Sequence, residues 1–280
     1  MRLRAGDLED FYASRLGKAA QFLMLKRLGD LWGDCAGLNL LGMGYARPLL
    51  TGFAATSKAC ISATPHMGKE TSWAASDRGI STCLAEEDRL PFADGVFDRI
   101  ILLHAIEEAD SPRAVLREAW RLLAPEGRML VAVANRKSSW SLIEGTPFGH
   151  GRPWTRRQLI TYLNDHLLQV TASTTAVHMP PVKYGFFVSG AEAWEKVGQI
   201  FAPGLGGVVL VEATKRMYAK PGSGAVAPAT SLAARRKGAA QLPRKEAELE
   251  CVENRRKTRV DPARATRFVG EVEQWEALGP

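Results

Sequence analysis

The feature that most constrains this chain is a strand–helix–strand pattern between residues 97 and 133. Residues 99–103 and 129–133 are apolar runs that each predict a buried strand. Between them, Ser111 and Pro112 supply the N-cap and first-turn proline of a helix. Two buried strands joined by one helix are expected to lie parallel, with a right-handed crossover. The chain is therefore predicted to be an α/β protein.

The segments on either side extend this pattern. Residues 7–32 are predicted to be helical, in two pieces that break near Gly17, and would cover one side of the sheet. Further strands are predicted at residues 58–63, 81–85, 169–175 and 207–214, and further helices at 156–164 and 191–201. A sheet that starts in alternating β and α units and ends in a strand pair predicts a doubly wound fold finished by an antiparallel hairpin.

A glycine-containing turn follows the first predicted strand. The apolar run at Leu38 to Leu41 ends in Gly42-Met43-Gly44-Tyr45-Ala46, and the next residues are expected to open a helix. Glycine has no Cβ, so a small polar ligand can approach main-chain N–H groups at such a turn. The turn predicts a ligand site, although an ordinary strand-to-helix turn is the competing interpretation.

Composition limits the class of protein. The chain has 280 residues and 46% hydrophobic composition, enough for a sizeable core. There is no apolar run of about 18 residues and no leader-like start, which predicts no membrane span and a cytoplasmic location. The four cysteines form no CxxC pair, so we expect buried small hydrophobic residues rather than metal ligands or disulfides.

The net charge of +7 is unevenly distributed. In residues 219–280, Lys and Arg outnumber Asp and Glu by 12 to 8, and large apolar residues are few. We predict a domain over residues 1–218, in which 1–34 form an N-terminal helical cap, followed by a disordered basic tail. Because the body is close to neutral, a nucleic-acid groove is not indicated, unless the tail delivers such a substrate. The sequence leaves the oligomeric state open.

One long string of residues is more specific than the pattern around it. It contains Leu90-Pro91-Phe92, Phe97-Asp98, His104-Ala105-Ile106-Glu107, Leu116-Arg117-Glu118 and Arg121-Leu122-Leu123-Ala124-Pro125-Glu126-Gly127-Arg128. In order and spacing this string resembles the class I, seven-strand methyltransferases that use S-adenosylmethionine, especially those that methylate small molecules in quinone and biotin pathways. The resemblance covers roughly residues 35–215. It implies a seven-stranded, mostly parallel Rossmann-like sheet, S-adenosylmethionine as cofactor and a small-molecule methyl acceptor.

The resemblance also implies roles for individual residues. The glycine turn would face the methionine part of the cofactor. An acid among Glu86, Glu87 and Asp88 would accept a hydrogen bond from the adenine amino group. The end of the fourth strand would line the pocket. The implied cofactor-binding set is Gly42, Met43, Gly44, Tyr45, Ala63, Glu87, Asp88, Leu103 and His104. On this basis Gly44→Val is expected to abolish cofactor binding and leave the fold intact.

The chain departs from the family pattern in its glycine turn and second strand. Asn39 and Leu40 stand where the family has an acid before the first glycine, and Ala46 replaces a third glycine. The second strand ends in CISATP, so Ser62 or Thr64 would offer a hydroxyl where the family has a ribose-binding carboxylate. Losing a charge-assisted hydrogen bond costs about 1.5–3 kcal/mol. A non-catalytic methyltransferase-like binding or regulatory protein is therefore the alternative. A nicotinamide dehydrogenase fits worse, because the G-x-G-x-x-G spacing fails at Arg47.

Two histidines are the candidate catalytic residues. Methyl transfer from a sulfonium mainly requires alignment, and a base is needed only when the nucleophile carries a proton. His104 would line the pocket or move that proton, or simply bond backbone at the strand end. His150 lies in the loop 146–159 with Arg152 and Trp154, which is either a lid or a rigid connection with Trp154 in the core.

Two further clusters could serve a substrate. Arg136 and Lys137 follow the fifth strand and could attract an anion, although exposed cations in a loop often have no such role. Tyr184, Phe186 and Phe187 would cover the site, mediate self-association or belong to the core.

Overall fold

The computed structural model describes residues 3–65, 79–182 and 190–215. The helices are α1 (Ala5–Ala13), α2 (Arg15–Trp32), α3 (Arg47–Leu50), α4 (Pro112–Leu122), α5 (Arg156–Asp165) and α6 (Ala191–Phe201). The strands are β1 (Asn39–Gly44), β2 (Ala59–Thr64), β3 (Ser81–Leu84), β4 (Phe97–Leu103), β5 (Leu123–Ala134), β6 (Leu168–Ala176) and β7 (Val208–Lys215). The predicted tail, Tyr184, Phe186 and Phe187 lie outside the described residues.

The seven strands form one sheet in the order β3-β2-β1-β4-β5-β7-β6. Strands β1 to β5 pair in parallel, and β7 is antiparallel to both β5 and β6. The predicted doubly wound sheet with a final antiparallel pair is therefore confirmed. The chain builds outward from β1 to β3 and then returns to β4 on the other side of β1, so the strand order reverses between β1 and β4.

Two apolar clusters hold the layers together, one on each face of the sheet. One gathers α1, α2 and α3 against residues such as Leu40 and Leu103. The other gathers α4 and α5 against residues such as Leu41 and Leu102. Alternate residues of β1 and β4 thus enter opposite clusters, as expected for strands buried on both faces of a parallel sheet.

The N-terminal helical region breaks three residues earlier than predicted. Ser14 adopts an extended conformation between α1 and α2, and its hydroxyl accepts a hydrogen bond from Gly17 N at 3.1 Å. A Cβ on Gly17 would come within 2.8 Å of Tyr12 Cα. Gly17 therefore permits the two helices to approach closely, while the break itself is an N-cap at Ser14.

The central strand–helix–strand unit follows the sequence expectation closely. The Ser111 hydroxyl accepts from Ala114 N at 3.3 Å, and Pro112 is the first residue of α4. Two lengths differ from the prediction. Strand β5 begins at Leu123, directly after α4 and six residues before the predicted strand. The helix expected after the glycine turn is the single short turn α3.

Three of the four cysteines are described, and none of the three forms a disulfide with another described residue: Cys35 and Cys60 are buried, and Cys83 is partly exposed. Cys251 lies outside the described part. Among the described residues, no helix is long and apolar enough to span a membrane, and no group of three His, Cys, Asp or Glu side chains is arranged to hold a metal ion.

Candidate functional site

The glycine turn and the end of β4 meet at the point where the strand order reverses. Gly44, the last residue of β1, lies opposite Leu103, the last residue of β4. Tyr45 N donates a hydrogen bond to Leu103 O at 2.8 Å. In open α/β sheets, ligands bind at the carboxyl ends of strands at such a switch point. The structure thus brings together the glycine turn and the end of β4, which the resemblance assigns to one cofactor pocket.

Both glycines of the turn are required by packing within the protein. A Cβ on Gly42 would come within 2.7 Å of the side chains of Ala46 and Leu50. Gly44 has φ +75, and a Cβ there would lie 2.5 Å from Leu103 O. The expectation that Gly44→Val leaves the fold intact is therefore not supported, because valine would be strained at this φ and would collide with backbone.

A buried Tyr–His–Glu cluster lies at the end of β4. The His104 side chain has no exposed surface, and its residue has φ 52, a left-handed turn just after the strand. His104 Nε2 is 2.9 Å from the hydroxyl of Tyr12, which comes from α1. His104 Nδ1 lies 3.4 Å from Glu107 Oε1. Tyr12 also stacks on Tyr45 of the glycine turn, with ring centroids 5.5 Å apart.

The electrostatics of this cluster set its proton positions. Burial raises the pKa of Tyr12 well above its ordinary value, with smaller contributions from Tyr45 and Glu107. The phenol therefore stays protonated, and it can donate to His104 Nε2. A neutral histidine that accepts at Nε2 carries its proton on Nδ1, the nitrogen that faces Glu107.

Glu107 is a buried carboxylate with few partners. Its residue is 3% exposed, and neither carboxylate oxygen accepts a hydrogen bond within the described part of the chain. Its polar neighbour there is the His104 ring. Burying a carboxylate without donors is unfavourable, so this group is retained at a cost in stability. Such groups are candidates for functional roles.

The string Leu90-Pro91-Phe92 is held by the helix that follows β4. Glu118 accepts from Leu90 N at 2.8 Å, and Arg121 donates to Leu90 O and to Phe92 O. Arg121 also bonds Glu118 itself at 2.6 Å, and these contacts lower the pKa of the Glu118 carboxyl. The sequence string thus marks a structural network, which places the acids just before Leu90 at the edge of the sheet.

The Phe97-Asp98 pair is also explained by contacts. Asp98 accepts from Asn39 N at 2.9 Å, and Phe97 packs edge-on against Phe92 with ring centroids 5.2 Å apart. Asn39 is a residue that the family pattern left unexplained. Its side chain donates to Val96 O at 3.2 Å, so it fixes the start of β1 against β4.

The residues that the resemblance assigns to adenine and ribose follow β3 and end β2. After β3, Glu87 is buried at 6% exposure, while Glu86 and Asp88 are exposed. Strand β2 ends at Thr64, which is buried, and Ala63 before it packs into the cluster on the α4 face. The last residue of β2 is therefore a hydroxyl rather than the carboxylate that the resemblance implies.

The second catalytic candidate lies elsewhere. His150 Nε2 is 2.6 Å from Glu144 O, in its own loop, rather than in the Tyr12–His104–Glu107 cluster. The structure therefore does not bring His150 together with His104. The same loop does reach the cluster through Phe148, whose ring centroid lies 5.1 Å from that of His104.

The loop that carries His150 ends in a docked connection. Trp154 N donates to Ala134 O at 2.9 Å, Arg136 N donates to Trp154 O at 3.0 Å, and Arg152 N donates to Glu107 O at 2.9 Å. Trp154 also packs against Tyr162 of α5. These contacts favour the rigid connection over the lid at residues 152–154.

Known proteins that resemble this chain in sequence include methyltransferases. Residues 41–131 match the sequence family described as methyltransferase domain. A demethylmenaquinone methyltransferase of Mycolicibacterium vanbaalenii is 26% identical over 144 residues, which are 51% of this chain and 55% of that protein. An uncharacterized protein of Methanocaldococcus jannaschii is 32% identical over 72 residues, 26% of this chain and 35% of that protein. The chain thus spans about half or less of these relatives.

Solved structures show the same fold at low identity. A possible histamine N-methyltransferase of Thermotoga maritima, described as SAM-dependent, superposes with a TM-score of 0.57 at 16% identity, over 75% of this chain and 95% of that one. A putative methyltransferase of Haloferax volcanii, solved with a methyltransferase activator, gives 0.51 at 18% identity, over 74% and 91%. The chain has the class I, seven-strand methyltransferase fold.

Proposed function

We propose that this protein transfers a methyl group from S-adenosylmethionine to a small molecule at the β1–β4 switch point. The observation that carries the proposal is the buried Tyr12–His104–Glu107 cluster, which lies beside the β1–β4 switch point, where open α/β sheets bind ligands. A carboxylate buried there without hydrogen-bond donors among the described residues is better explained by chemistry than by folding.

The residues present fit most parts of the cofactor. The backbone of the glycine turn and Leu103 would hold the methionine part. Glu87 or Asp88 would accept from the adenine amino group. At the ribose, Thr64 would offer a single hydroxyl, which makes the weakest of the three contacts. When bound, S-adenosylmethionine supplies a methyl group that is already activated for transfer.

His104 would act on the methyl acceptor. Its ring would receive a proton from an acceptor hydroxyl or amine at Nε2, with Tyr12 moving aside or passing on the proton. Glu107, facing Nδ1, would stabilise the imidazolium that forms. Phe148 packs on the ring and would help to keep water away from it.

The acceptor is proposed to be a small molecule of unidentified structure. One curated relative acts on demethylmenaquinone, by its name. That relative is matched over about half its length, so its acceptor is a starting point for a screen and not an assignment.

The direct test is calorimetric titration with S-adenosylmethionine and with S-adenosylhomocysteine, its demethylated product. We expect micromolar binding of both, and no binding of NADH as the control. Asp88→Asn is expected to weaken binding about tenfold if Asp88 holds the adenine. Glu86→Gln, at a nearby exposed acid, is the matched control and should bind like the wild type.

The alternative is a methyltransferase-like binding protein that does not react. It predicts no heat with either adenosyl compound at millimolar concentration, and that result would overturn the proposed function. Binding of NADH in preference to the adenosyl compounds would contradict it as well.

A further inference from the structure

A cavity lies on the α4 and α5 side of the sheet, and its lining contains none of the three residues of the buried cluster. Its volume is about 700 Å³, and it opens between the start of α4, the end of β5 and α5. Pockets for small organic ligands usually measure about 300–1,000 Å³. The cavity therefore has the size of a binding site for a molecule of ordinary metabolite dimensions.

The cavity wall is fixed by backbone contacts. Residues 152–154, which those three hydrogen bonds hold in place, form one side of the cavity. Gly151, at φ +71, packs so closely against the backbone of Glu107 that a Cβ on it would lie 2.6 Å from Glu107 O. The wall is thus hydrogen-bonded to Ala134 at the end of β5 and to Glu107 in the loop after β4, so it is a preformed surface.

The cavity is strongly cationic. Arg136, Arg152 and Arg157 line it, and none of these three forms an ion pair with any residue in the described ranges. Asp165 is the one acidic side chain among the lining residues. Pro112, the first residue of α4, and Thr155, the N-cap of α5, also line the cavity. Guanidinium groups bind carboxylate and phosphate oxygens in pairs, which favours an anionic ligand.

The same cavity presents two aromatic rings. Trp154 and Tyr162 line it, with ring centroids 5.0 Å apart and planes inclined at 43°. Aromatic walls favour flat apolar groups, which stack on them or pack against their edges. Cations beside aromatic rings suit a ligand that has a charged end and a planar end.

We propose that this cavity binds a small organic anion that carries a planar ring, held by the arginines at its carboxylate or phosphate and by Trp154 and Tyr162 at its ring. The assignment does not depend on the adenosyl site. The three arginines are confined to this one cavity, which favours a small molecule over a nucleic-acid strand, because a strand would require a longer basic track.

The test uses phenyl phosphate as the probe, titrated into the full-length protein and followed by calorimetry. We expect saturable binding of phenyl phosphate, weaker binding of inorganic phosphate and no binding of benzyl alcohol. Arg157→Gln is expected to weaken phenyl phosphate binding about tenfold. Arg156→Gln, one residue earlier on the same helix and outside the cavity lining, should leave it unchanged.

A second pair of variants tests the cavity at residues outside α5. Arg136→Gln should weaken the binding of phenyl phosphate. Lys137→Gln, at the neighbouring residue outside the cavity lining, should leave that binding unchanged. Three results would overturn the proposal: no binding of phenyl phosphate at millimolar concentration, equal losses in the matched controls, or tighter and strongly salt-dependent binding of a single-stranded oligonucleotide. Repeating the titration with saturating S-adenosylmethionine separates this site from the proposed cofactor site, because each can fail without the other.

Discussion

Two buried histidine–glutamate pairs occupy different regions of the fold. At the end of β4, His104 Nδ1 lies 3.4 Å from Glu107 Oε1, and the two side chains are 0% and 2% exposed. Beyond β6, His178 Nδ1 lies 3.2 Å from Glu195 Oε2, and the side chains are 2% and 6% exposed. By distance and burial alone, the two pairs are nearly equivalent.

Their hydrogen-bond partners differ. Glu195 accepts from His178 N at 2.9 Å and from Gln199 Nε2 at 2.9 Å, and Arg27 Nε lies 3.7 Å away. Glu107 accepts no hydrogen bond from the described residues. The pair at Glu195 therefore ties α6 to the end of β6 and to α2, as a structural contact. The pair at Glu107 lies at the switch point of the sheet and has no such structural partners among the described residues, which fits the proposed role of Glu107 in supporting His104.

The largest expected effect is on the reaction rate. Glu107→Gln removes the charge that would stabilise a protonated His104, and we expect the rate of methyl transfer to fall about 100-fold. The measurement is transfer of labelled methyl from S-adenosylmethionine to an acceptor found by screening. Glu195→Gln is the matched control, and its rate per folded molecule should equal that of the wild type. Equal losses in both variants would remove the distinction between the pairs.

The next effect is on stability. Glu195→Gln removes charge from an acceptor of several hydrogen bonds, and we expect the free energy of unfolding to fall by about 1.5–3 kcal/mol. Urea denaturation followed by circular dichroism measures the change. An unchanged midpoint would mean that the contacts of Glu195 contribute little.

A smaller effect tests the third member of the cluster. Tyr12→Phe keeps the stack on Tyr45 and removes the hydrogen bond to His104, so the free energy of unfolding should fall by about 0.5–1.5 kcal/mol. The pH dependence of methyl transfer should also shift, because His104 loses a donor. An unchanged pH profile of methyl transfer would mean that Tyr12 contributes to packing alone.

The smallest effect concerns a third carboxylate, which is well supplied with donors like Glu195. The pKa of Glu118 is lowered in the folded state, chiefly by its hydrogen bonds with Arg121. Its stabilisation is thus fully present above the unfolded pKa of about 4.3 and is lost as pH falls through the folded value. Glu118→Gln should reduce stability at pH 7 by about 1 kcal/mol or less and should lose less stability in acid than the wild type. Parallel unfolding at pH 7 and pH 3 measures the difference.

The sequence predicted those parts of the fold that local signals define. The N-cap at Ser111 and the apolar runs on either side specify β4, α4 and the second half of β5 without reference to distant residues. The contact between Tyr12 and His104 joins residues 92 positions apart. Periodicity shows only that Tyr12 lies on a helix, so this member of the cluster could not be found from the sequence.

Other features could not be predicted from the sequence for a related reason. The ligand site at the glycine turn stays a prediction, and the structure adds that the two glycines are also required by Leu50 and Leu103, which only the folded structure places beside them. His150 lies close to Arg152 and Trp154 in sequence, but its ring bonds its own loop. Sequence proximity indicated a shared site there, and Arg157 and Tyr162, which complete the cavity, belong to the next helix.

The most direct test of the central claim is urea unfolding of the wild type and Glu107→Gln under identical conditions. If the Glu107 carboxylate serves function and destabilises the fold, the free energy of unfolding of the variant should equal that of the wild type or exceed it by about 1 kcal/mol. A fall of about 1.5–3 kcal/mol, like that expected for Glu195→Gln, would contradict the account and make Glu107 a structural residue.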